Sequence, residues 1–158
     1  MTYTHSYIPL AAVMISLLGT IPITLSKRKP ILRESWTLLI SLGKFALIAS
    51  MLPSVLSGQG FVWTFVDVLP GLPIAFRVDA MGMLFALVAS FLWICTSFFS
   101  FGYLSKLKKH SKTRYYTSFS LAMSATIGVA FAANLLTMYM FYEILSLATY
   151  PLVTHDQD

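Results

Sequence analysis

The sequence predicts an all-α polytopic membrane protein of about five transmembrane helices, with a short β-like segment between helices two and three. Three observations predict it. Uncharged apolar runs recur along the chain, the longest covering residues 80–104 and 115–142. Charged residues make up only 11% of the 158, against about 25% in an ordinary soluble domain. Lys and Arg collect in two short blocks, each flanking an apolar run, as loops between membrane spans do. A soluble helical domain has no core large enough to hide such runs. The net charge of +5 comes mainly from those two blocks rather than from a basic face interleaved with aromatics, so no nucleic-acid partner is expected.

Residues 7–25 hold no charge and have the length of a span. Pro9 lies at the edge of this run, and Pro22 is placed to kink or end the helix. The basic block Lys27, Arg28, Lys29 and Arg33 follows. A second span is read over 35–52, interrupted by Lys44 and stopped by Pro53. Residues 53–79 change character: FVWTFVDVL at 61–69 is rich in β formers and too short to cross as a helix. Leu69-Pro70-Gly71 supplies the turn of a β-like segment or short hairpin, with an amphipathic interfacial segment as the alternative. Residues 80–104 form the third span, with Asp79 positioned to cap it or, with Arg77, to join an interfacial ion pair. A second basic block, Lys106 to Arg114, precedes an apolar stretch running to Val153. That stretch is too long for one span and divides into two, 115–133 and 134–152, with a turn near Ala133–Asn134. Ser120, Ser124, Gly128 and Ala132 give helix four a small-residue stripe suited to close packing.

Orientation follows from counting Lys and Arg in the loops: nine fall after spans one and three, and only Arg77 falls on the other side. The positive-inside rule puts the amino terminus outside, both basic loops in the cytoplasm and the carboxyl terminus inside, in a multi-pass protein of the cell inner (plasma) membrane. No cleaved signal peptide is expected, because residues 1–6 carry no basic group. The single Cys95 makes no internal disulfide and is read as core or lipid-facing. The three histidines are too scattered for a metal site, and His110 and His155 are read as solvated. No cofactor and no metal are expected.

Glu143 is the residue that most bears on function. It stands nine residues beyond Asn134 and eight before Pro151, about 12–13 Å from either end of its helix and so near the membrane midplane. Tyr139, Glu143, Ser146 and Tyr150 share one face at helical spacing, giving a polar stripe able to hold water. An intramembrane carboxylate is read first as a proton or ion site with a partner or a wet cavity. The plainer alternatives are a buried pair locking helices in register, or a contact to a partner subunit. Asn134 is out of phase and is assigned to the interface or to a helix cap. Lys44 is the second mid-span charge, sharing a face with Thr37 and Ser41, and is expected in an aqueous or paired position. A Lys44–Glu143 pair at similar depth is one arrangement that this allows.

Three segments carry a family resemblance: FRVDAMGMLFAL at 76–87, RYY at 114–116 and, above all, AANLLTMYMFYEILSLATYPLV at 132–153. The chain resembles the amino-terminal part of the antiporter-like subunits shared by Mrp-type Na⁺/H⁺ antiporters, respiratory complex I and membrane-bound hydrogenases. The YPLV ending leans toward the D-type Mrp proteins. The resemblance covers residues from about 61 onward; the first two spans match in pattern only. It implies a subunit of about fourteen helices in which Glu143 pairs with a lysine of helix seven during proton translocation. This chain ends before that family's helix six, and so reads as one piece of a longer or naturally split subunit. Partners supplying the later helices, other membrane subunits, protons, Na⁺ and lipid are therefore expected. Many relatives have an Asp where Ala133 stands, and the resemblance assigns no role to Lys44. It leaves three functions open: a multisubunit antiporter, a redox-driven membrane arm, and a scaffold that transports nothing.

Overall fold

A computed structural model describes residues 2–106 and 109–153, without the side chains of residues 104, 109–111, 152 and 153. Strand β1 (Thr2–His5) leads into α1 (Ile8–Leu25) and then α2 (Pro30–Leu56). Strands β2 (Gln59–Leu69) and β3 (Leu72–Val78) come next, followed by α3 (Ala80–Leu104), α4 (Lys109–Ala130) and α5 (Leu135–Val153). Among the described residues, three helices are long and apolar enough on their own to cross a membrane: α1, α2 and Ala80–Tyr103 of α3. Only about a third or less of each of those spans is buried within the chain. The rest of their apolar surface is left for lipid or other protein.

The helices follow the apolar runs, with differences at the ends. Helix α3 begins where Asp79 caps it, the Asp79 Oδ1 accepting from the Gly82 N–H at 2.7 Å. Helix α2 is longer than the run 35–52, starting at Pro30 and continuing through Pro53 to Leu56. Pro30 stands at the first turn, where a missing N–H costs nothing. Pro53 does not stop the helix: it lies one turn from the end, and its carbonyl still accepts from the Ser57 N–H at 3.1 Å. Pro22 is carried within α1 in the same way, accepting from Ser26 N–H at 3.0 Å.

The β-like segment is a hairpin. β2 and β3 pair antiparallel with Leu69 opposite Leu72, and Gly71 takes φ 82° in the two-residue Pro70–Gly71 turn, a conformation that a Cβ would strain. β1 adds a third strand, parallel to β2. Nothing in the four residues TYTH signalled this; the strand exists because β2 offers it an edge. The sheet closes one end of the bundle and is tied to the α4–α5 turn, where Arg77 N–H donates to the Phe131 carbonyl and Ala133 N–H to the Ala75 carbonyl, at 2.6 and 3.0 Å.

One core cluster joins the sheet to the helices through Ile48, Met51, Phe76, Val78, Met83, Ile127 and Phe131. A second, toward the other end, groups Ile23, Ile40, Trp93, Tyr116 and Met123. The small residues of α4 serve two neighbours, because a four-residue repeat drifts around a helix of 3.6 residues per turn. Ser120 and Ser124 face α1, donating to the carbonyls of Ser16 and Val13 at 2.8 and 2.9 Å. Gly128 has turned toward α5, where the Phe141 ring occupies the space that a Cβ would need.

Candidate functional site

Helix α5 is set by its first turn. Asn134 is the cap: its Oδ1 accepts from Thr137 N–H at 2.9 Å, while its Nδ2 donates to the Pro73 carbonyl at 2.5 Å. Thr137 is fully buried, and its Oγ1 accepts from Ala75 N–H at 3.2 Å. With Phe141 laid on Gly128 and Ala148 buried, one face of α5 is committed to α4 and the sheet. Tyr139, Glu143, Ser146 and Tyr150 are then all exposed on the surface that the chain leaves uncovered. Their neighbours there are apolar or aromatic, among them Leu135, Tyr142 and Leu147. The polar stripe is thus one continuous strip around a carboxylate, set in otherwise apolar surface.

Lys44 is built into the interior of the bundle. It is fully buried, and its Nζ donates to Ser16 Oγ at 2.6 Å and to the Met123 carbonyl at 3.1 Å. The ammonium also lies 5.7 Å from the centroid of the Trp93 ring. Its surroundings therefore come from α1, α3 and α4. Ser16, in turn, belongs to a seam of hydroxyls between α1 and α4 that continues through Ser120, Ser124 and the Thr24–Thr117 contact at 3.2 Å. The expected aqueous or paired position is not what surrounds Lys44: it is fully buried, and its partners are a hydroxyl and a carbonyl oxygen. The structure does not bring Lys44 and Glu143 together, because one is sealed inside the bundle and the other stands on the free side of α5.

Sequence reasoning missed Arg33. It is 2% exposed, donates from Nη1 to Thr113 Oγ1 at 3.1 Å, and stacks its guanidinium 5.3 Å from the Tyr116 ring centroid. The signal was present: the Thr37–Ser41–Lys44 face, extended back one turn, reaches Arg33, and all four are buried. Arg33 Nε, Trp93 Nε1 and Tyr116 Oη are buried with no hydrogen-bond partner among the described residues. Of the other residues considered, Cys95 is exposed on α3. Arg77 lies over the Tyr3 ring at 5.9 Å, while Asp79 is the cap described above. The side chain of His110, and His155 entirely, lie outside the described residues.

A cleft of about 250 Å³ opens between α1, the hairpin, α4 and α5, with Ser124 as its one polar lining residue. Neither Lys44 nor Glu143 lines it, so it is a groove for apolar groups and not part of a charge path. No group of three His, Cys, Asp or Glu side chains that could hold a metal occurs among the described residues.

No family model matches the chain. Over 108 residues it is 27% identical to the "Putative antiporter subunit mnhA2" of Staphylococcus haemolyticus, covering 67% of this chain and 13% of that protein. It is 30% identical over 79 residues to the protein of the same name from Staphylococcus aureus strain MRSA252, covering 50% of this chain and 10% of that one. The chain thus spans only a small part of the length of these relatives. Its fold matches a chain of the membrane-bound sulfane sulfur reductase, an archaeal respiratory membrane complex, with a TM-score of 0.79 at 17% identity, over 92% of this chain and 30% of that one. The protein is therefore a multi-pass membrane protein distantly related to antiporter-family proteins, with a fold like that of a chain in a respiratory membrane complex. The two staphylococcal relatives are of the A type by name, so they give no support to a D-type assignment.

Proposed function

We propose that this chain is a membrane-embedded part of a multisubunit Na⁺/H⁺ antiporter, in which Glu143 takes up and releases the transported proton. The observation that carries the reading is the carboxylate on the uncovered face of α5, flanked by Tyr139, Ser146 and Tyr150. A carboxylate near the middle of a bilayer is stable only when protein or water meets it. The uncovered face is thus where further helices dock, and a basic group or a water file there completes the proton site. Distant kinship to antiporter subunits supports the same reading. Lys44, hydrogen-bonded to the Ser16 hydroxyl at one end of the α1–α4 seam, is a second group in the proposed path, separate from the first. In this reading α4 and α5 cross the membrane as spans four and five, the amino terminus is outside and the basic loops are cytoplasmic.

The test is Glu143→Gln in the native assembly, with ΔpH-driven exchange followed in everted vesicles. Transport should fall at least about tenfold while the complex still assembles. Unchanged exchange with a normal ion ratio refutes the proposal, and loss of assembly with the remaining exchange intact favours a scaffold. The fold likeness favours a second reading, a membrane-arm protein whose pumping is powered by redox partners. Iron–sulfur subunits co-purifying with the native complex would select it.

A further inference from the structure

At the end of the bundle away from the sheet, the α1–α2 turn and the start of α4 enclose a cleft lined by Lys27, Arg28, Pro30, Arg33 and Lys112, of about 290 Å³. Four cations converge there, and Glu34, beside Arg33 in sequence, is not among the lining residues. Arg33 is the informative member. It is 2% exposed, its Nη1 donates to Thr113 Oγ1, and its buried Nε has no acceptor among the described residues. A guanidinium presents five donors in a planar fork suited to phosphate oxygens. The 27-residue helix α2 also starts here with Lys29 giving no side-chain cap and with no acidic residue in its first turn. Its positive end is therefore unopposed. On the outer flank, Arg28 and Lys29 meet Ile31 and Leu32, which are 80% and 44% exposed, in a shallow groove.

We propose that this cleft binds the phosphate of an anionic phospholipid. The headgroup sits among Lys27, Arg28, Arg33 and Lys112, and an acyl chain runs along Ile31 and Leu32. A basic block that served only to orient the chain would need neither converging cations around a cleft nor a buried arginine. The site stands where α1 ends and α2 begins, at the depth of lipid headgroups, and its apolar rim favours a lipid over a free anion.

The experiment uses the full chain in neutral detergent micelles, with bound lipid counted by native mass spectrometry during titration with phosphatidylglycerol or phosphatidylcholine. One phosphatidylglycerol per chain is expected, bound about tenfold or more tightly than phosphatidylcholine. The pair Lys27→Gln/Lys112→Gln, exposed and half-buried respectively, should abolish that preference, and Lys106→Gln, outside the cleft, should leave it unchanged. Arg33→Gln should weaken binding as well; if it fails to fold, the lysine pair decides. Equal binding of the two lipids, or a lysine-pair variant that keeps the preference, overturns the proposal. Displacement of the lipid by millimolar inorganic phosphate overturns it too, in favour of a free-anion site. None of these readouts depends on transport, so the site stands or falls separately from the role of Glu143.

Discussion

Replacing Lys44 with methionine distinguishes a lysine retained for stability from one retained for its charge. The side chain makes two hydrogen bonds, at 2.6 and 3.1 Å, and one cation–π contact at 5.7 Å. For a charged donor these are worth about 1.5–3 kcal/mol per hydrogen bond and about 1–2 for the ring. Against that total of about 4–8 kcal/mol stands the cost of burying an ammonium without a carboxylate, itself several kcal/mol. Methionine fills nearly the same volume, Ser16 Oγ still donates to the Val13 carbonyl at 3.3 Å, and the Met123 carbonyl remains within a helix. The two sums cancel, and Lys44→Met should fall within about 2 kcal/mol of the parent chain. Lys44→Ala, by contrast, leaves a cavity and should lose about 2–5 kcal/mol. Both are measured by denaturant unfolding in micelles, read by the fluorescence of Trp93, which lies under the ammonium and is 1% exposed. A loss above about 3 kcal/mol in Lys44→Met would refute the cancellation and make the lysine a net structural contact.

Three further outcomes follow from packing and caps. Gly128→Ala drives a methyl group into the Phe141 ring and should cost about 1–3 kcal/mol; adding Phe141→Leu should recover much of that, and no recovery would mean that the α4–α5 contact is misassigned. Asn134→Ala removes both the Thr137 cap and the bond to Pro73, about 2 kcal/mol together, seen as faster amide exchange in the first turn of α5 than in α3. Asp79→Ala removes the cap on Gly82, about 1 kcal/mol, with faster exchange confined to the start of α3.

Features fixed by local chemistry were legible in the sequence. The charge-free run predicted α3 to the residue because Asp79 ends it at one side and the basic block bounds it at the other. Pro70–Gly71 predicted the hairpin because few other dipeptides favour that turn. Helical phase alone gathers Tyr139, Glu143, Ser146 and Tyr150 on one face. Features that depend on distant segments were hidden. β1 needs the edge of β2, 57 positions away in register. The surroundings of Lys44 come from Ser16 and Met123, 28 and 79 positions away, and no single-helix pattern reports such distances. The ends of α2 were misjudged for a different reason. A proline near a helix end loses little, so Pro53 reads as a stop only when its position in the last turn is unknown.

The hydroxyl seam between α1 and α4 also fixes an order of events during synthesis. Lys44 and Ser16 leave the ribosome early, but Met123 follows Lys44 by 79 residues, about 4–16 s at common elongation rates. Throughout that interval, the second segment to enter carries a cation that the first can only half satisfy. The acceptor that completes its hydrogen bonding becomes available only when α4 has been made. Slowing translation between residues 45 and 123 would lengthen that interval without altering a single contact in the finished protein.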